Sequence, residues 1–141
     1  MFLLDTDVVS ELRKVKAGKG QRNVAAWSEG VTLAQTFLSV VTIHELELGV
    51  LLLERRDRQQ GAILRAWMDT RVLAEFEGRV LPIDTAVAQC CARLHAPDPK
   101  PMRDSLIAAT ALVHGMIVAT RNVKDFEPTG VEVLNPWEWK P

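Results

Sequence analysis

Five short apolar runs, Phe2–Leu4, Phe37–Val41, Val80–Ile83, Met116–Ala119 and Val131–Leu134, are separated by longer segments of helical periodicity. Runs this short, rich in β-branched residues, read as buried strands. The segments between them, near residues 6–14, 42–55, 60–76, 85–95 and 102–114, read as helices. In the third, Ile63, Leu64, Trp67, Met68 and Phe76 share one broad face, while Arg65, Asp69 and Glu75 lie off it. Strands alternating with helices favour a mainly parallel sheet covered on both faces. The expected class is α/β, with five strands.

At 141 residues the chain is expected to form a single domain, 1–141, large enough for a real core. "APDPKP" at 96–101 is a rigid connection into a helix starting near Met102, and Gly115 stands where a helix C-cap glycine belongs. "ERRDRQQG" at 54–61 reads as a solvated joint between helices, and "KVKAGKGQ" at 14–21 as a flexible basic loop.

Net charge is −1, so no global field draws a polyanion; one would be held locally or through metal ions. Cys90 and Cys91 are adjacent, which fits neither zinc spacing nor a disulfide framework, and they read as buried free thiols in a reducing compartment. Leu106–Ala119 is too short to span a bilayer and the N-terminal segment is unlike a signal peptide, so a cytoplasmic location is expected, away from membranes.

Carboxylates recur where these strands end. Asp5 follows the first run directly; "FLSVVT" leads into "IHELELG", with Glu45 one turn into the helix. "MIVAT" leads into "RNVKDF", offering Asn122 and Asp125, and "PMRDSLIAATALVHG" carries Asp104 in its first turn. In an open parallel sheet these positions gather at one edge, where ligands bind. Each acid also has a local role available: Thr42 to Glu45 matches a capping box, Asp104 suits a helix dipole, and Asp5 can cap the helix after strand one. Those roles do not exclude a shared one. Carboxylates crowded together repel unless a cation compensates, and for an all-oxygen set the natural cation is Mg²⁺ or Mn²⁺. That chemistry points to metal-assisted phosphoryl transfer. His44, His95 and His114 have no paired metal spacing, and Glu47 is expected at the surface.

"LLDTDVVSEL", "LSVVTIHELELGV", "RDSLIAATALVHG" and "IVATRNVKDF", in this order, resemble the PIN-domain ribonucleases, and more closely the VapC toxins of toxin–antitoxin pairs. The ending "VEVLNPWEW" is similar to the FitB-like branch. The resemblance covers essentially the whole chain. It implies a PIN-like three-layer α/β/α sandwich whose acidic pocket binds Mg²⁺ or Mn²⁺. By motif Asp5, Glu45 and Asp104 match the family's metal-site acids, Glu45 directly or through water. The fourth acid often falls where this chain has Asn122, "TRN" in place of "TRD", with Asp125 as a weaker substitute. Asp7 stands where relatives often carry asparagine; Thr6 and Thr120 are polar supports. The resemblance further implies an RNA substrate such as transfer RNA, a homodimer, and a VapB-like antitoxin covering the active-site groove, with helices 42–55 and 60–76 facing partners.

Two alternatives use the same residues. "FLLDTDVV" also looks like the D-x-D motif of haloacid-dehalogenase-type phosphatases, with Asp5 as nucleophile and Asp7 as acid/base. The chain could also be a non-catalytic protein-binding module, with Asn122 marking decay of the site.

Overall fold

The computed structural model describes residues 1–141. Five strands, β1 (Phe2–Leu4), β2 (Thr36–Ser39), β3 (Val80–Leu81), β4 (Ile117–Ala119) and β5 (Val133–Leu134), form one sheet in the order β3-β2-β1-β4-β5. Every pairing is parallel; Phe2 stands against Thr36 on one side and Ile117 on the other. Strand β1 is therefore the centre, and the chain builds outward from it in both directions.

The helices are α1 (Thr6–Lys16), α2 (Arg22–Glu29), α3 (Val40–Arg56), α4 (Arg58–Trp67), α5 (Thr85–Leu94), α6 (Met102–His114) and α7 (Val123–Phe126). Alternation along the strands divides the core between two faces. Leu4, Leu38 and Ala119 pack with Val8, Trp27, Leu46, Val50 and Met68 on the side of α1 to α4. Leu3 and Val118 pack with Ile107, Ala108 and Phe126 on the side of α6 and α7. The result is the expected three-layer α/β/α sandwich. Val87, Cys90 and Cys91 then fasten α5 onto Ala109 of α6, which explains why both thiols are buried.

Strands β3 and β5 are each two residues shorter than the runs read in the sequence, and further boundaries differ. Strand β2 stops at Ser39, because the Ser39 hydroxyl accepts from the Val41 N–H (3.0 Å) and starts α3 two residues earlier than Thr42. Thr42 is thus buried inside the helix with its hydroxyl unpartnered, and the capping box to Glu45 does not form. The basic segment 14–21 is not a free loop: α1 continues to Lys16, and α2 follows at Arg22. The long helix expected over 60–76 is α4 continued by a widened π turn, Met68–Leu73, that brings Met68 and Val72 into the core. Gly115 adopts the left-handed conformation (φ 66°) that ends α6 before β4. No helix is long and apolar enough to cross a membrane.

Candidate active site

Asp5 is the first residue after the central strand. Its amide donates to the Ala119 carbonyl (2.9 Å), and its Oδ1 accepts from the Thr6 N–H (2.8 Å), so it caps α1 as the sequence allows. The capping role leaves the rest of the carboxylate free for other partners. Asp5 is 1 % exposed, and a carboxylate so buried requires compensation. Thr120, at the end of β4, donates its hydroxyl to Oδ2 (2.8 Å). That bond spans the junction between β1 and β4, where the sheet's order reverses and a parallel sheet opens a crevice.

The largest compensation comes from Arg103, in the first turn of α6. One guanidinium nitrogen donates to Asp5 Oδ1 (2.6 Å) and to Glu45 Oε1 (2.7 Å). Nε donates to Glu45 Oε2 (2.8 Å), and the remaining nitrogen to Asp104 Oδ1 (2.9 Å). Thr6 completes the ring by donating its hydroxyl to Glu45 Oε1 (2.5 Å). Acids from β1, α3 and α6 therefore converge on one point, although they are widely separated in sequence. The Arg103 hydrogen bonds, more than the Thr6 one, hold the Glu45 carboxyl below the usual carboxylate range. Those to Glu45 and Asp5 keep the guanidinium more firmly protonated than usual.

Asp7, in the first turn of α1, accepts from the Arg121 N–H at one oxygen (3.1 Å), and its other oxygen has no partner. Burial first, then the Asp5 charge, push its carboxyl up to about 6. Asn122 and Asp125 stand apart: both are exposed, and neither side chain bonds to the three acids. The only link is indirect, the Asn122 N–H donating to Thr120 Oγ1 (3.0 Å). His44 and His114 are exposed, and His95 ends α5. Glu47 is a surface partner of Arg65, at 2.6 and 2.8 Å.

As the side chains stand, no three acidic, histidine or cysteine groups could hold one ion together, because the guanidinium occupies the space between them. The donor set itself fits a hard divalent ion: carboxylate and hydroxyl oxygens, nothing soft, on rigid element ends. The charge fits too. Asp5, Glu45 and Asp104 bring three carboxylates to a single arginine, with Asp7 close by in the first turn of α1. Sequence reasoning missed Arg103. Neighbours one position apart on a helix do not normally share a face, yet a long side chain in a first turn reaches past its own helix. The available signal was its place: a basic residue beside Asp104, in a motif otherwise apolar.

A family model described as "PIN domain" matches residues 2–130. The chain is 36% identical to VapC ribonuclease Y4jK of Sinorhizobium fredii, covering 98% of this chain and 99% of that one. It is 35% identical to Toxin FitB of Neisseria gonorrhoeae, covering 97% and 99%. The crystal structure of FitAcB from Neisseria gonorrhoeae superposes with a TM-score of 0.87 over 98% of this chain and 99% of that chain, at 35% identity. A toxin-antitoxin complex from Klebsiella pneumoniae superposes at 0.66 over 98% and 99%, at 25% identity.

Proposed function

This chain belongs to the PIN-domain family, and from that premise we propose that it is a metal-dependent endoribonuclease acting as the toxin of a toxin–antitoxin pair. Ribonuclease and toxin are the names of full-length relatives; the site residues and the metal rest on the chemistry of this chain. One observation carries the reading: Asp5, Glu45 and Asp104 each offer an oxygen within 2.9 Å of a single guanidinium at the crevice of the sheet.

A bound Mg²⁺ or Mn²⁺ supplies Lewis-acid stabilisation of phosphate charge and lowers the pKa of a water nucleophile. Asp5 and Asp104 would hold that ion, with Glu45 completing the site directly or through water. Thr120 fixes one Asp5 oxygen by donating to it, which leaves Oδ1 aimed at the shared point. Thr6 does the same for Glu45. Asn122 and Asp125 have no part in the arrangement as it stands. Phosphatase chemistry at Asp5 is disfavoured, since the PIN-domain match runs over residues 2–130. A partner antitoxin fits the reading, since a toxin of this kind must be silenced in its own cell.

Incubation of the purified protein with total RNA tests it. Mg²⁺ or Mn²⁺ should permit cleavage and a chelator should stop it. Asp104→Asn should lower the rate by at least about 100-fold with an unchanged circular dichroism spectrum, because the change leaves the core untouched. Cleavage by Asp104→Asn at the parent rate would falsify the assignment.

A further inference from the structure

Arg103 pairs with three carboxylates, and all three are the proposed ion-binding acids. Its nitrogens lie 2.6, 2.7 and 2.9 Å from oxygens of Asp5, Glu45 and Asp104. A divalent ion ligated by those oxygens would need the space the guanidinium fills. Two cations cannot share that space. Asp5 lies beneath the arginine, 1% exposed, and Asp104 is 15% exposed, whereas the Arg103 side chain (34%) and Glu45 (31%) both reach the outer side. The outward direction is therefore open to Arg103 and closed to Asp5.

We propose that Arg103 is a built-in counter-ion, a positioning residue that keeps the acids assembled in the metal-free protein and leaves them when the divalent ion binds. The proposal rests on the metal-dependent reading above and adds to it a competition within the chain. The Arg103-bound state is not competent for the ion. The apparent affinity is therefore the intrinsic one reduced by the fraction of molecules in which the arginine has swung away. The same contacts explain how acids from three separate elements stay together with no metal present, since each gains a charge-assisted bond to one planar fork.

Arg103→Lys is the deciding variant. It keeps the positive charge, so any change cannot come from removing charge near a cation site, but a single ammonium cannot bridge three carboxylates. Mn²⁺ titrated calorimetrically into the metal-free protein should bind Arg103→Lys about tenfold more tightly than the parent. Asp5→Asn should bind at least tenfold more weakly. On the parent protein, the Arg103 guanidinium signals in nitrogen-15 spectra, assigned by their absence in Arg103→Lys, should shift to free-arginine positions as Mg²⁺ saturates the site. That second measurement needs no variant to bind metal. Equal Mn²⁺ affinity for the parent and Arg103→Lys, or guanidinium signals unmoved at saturating Mg²⁺, overturns the counter-ion role while leaving the nuclease reading intact. If none of the proteins binds Mn²⁺, both fall.

Discussion

Asp5 does two jobs because its two oxygens point different ways. One caps α1 and meets Arg103, and the other receives the Thr120 hydroxyl. The sequence made its position at a strand end readable, and the same holds for Asp104 and Glu45. It could not reveal Arg103, whose role depends on reach across the crevice, and the motif position of Asn122 suggested more than its exposed side chain delivers. Asp7 carries a different consequence. Its carboxyl is pushed from an ordinary 3.8 up to about 6. Between those values the folded chain binds more protons than the unfolded one, so stability falls as pH rises through this window, and the cost is fully present above it. Asp7→Asn should therefore raise the melting temperature at pH 7.5 in chelator. The gain should be about 1–2 kcal/mol once solvent contact is discounted, shrinking towards pH 4. A gain of equal size at both pH values would show that charge is not the cause.

Among the elements, α3 and α4 approach closely at a glycine. Gly61 of α4 lies against Glu54 of α3, where an added Cβ would come 2.5 Å from the Glu54 Cα and 2.8 Å from its nitrogen. Arg65 then ties the pair at the surface through Glu47 and Glu54. Gly61→Ala must push backbone from backbone, and the urea midpoint should drop by the equivalent of about 2–3 kcal/mol with an unchanged slope. An unchanged midpoint would mean the helices part freely. Helix propensity alone would have scored this change as favourable. The same scale shows why α2 escaped notice. It has eight residues, of which only Val24 and Trp27 are buried, and its cap is Gln21, whose side chain accepts from the Asn23 and Val24 amides. Neither the periodicity nor the cap is one that a sequence advertises. At β2 the misreading had the opposite origin: Val40 and Val41 favour strands, and the Ser39 cap overrode them.

For the molecule as a whole, the alternation of strands and helices was enough to give a parallel sheet with two covered faces, since few other arrangements bury such runs. What the pattern could not give was the apolar surface left over. Leu48, Leu51 and Leu52 of α3 are about half exposed, and Leu48 and Leu52 border a groove with Ile83 and Met102 that ends at Glu45 and Arg103. A second copy of the chain is the expected occupant. Leu52→Glu should convert two-chain to one-chain sedimentation at micromolar concentration, because a carboxylate buried in such a face lacks a partner. A variant that stays two-chain would place the contact elsewhere. The bond between Thr120 and Asp5 joins positions 115 residues apart. During synthesis, therefore, a chain still short of β4 holds its central strand without one neighbour and its key carboxylate without a donor. The carboxylate cluster cannot be complete until both Asp104 and Thr120 have emerged.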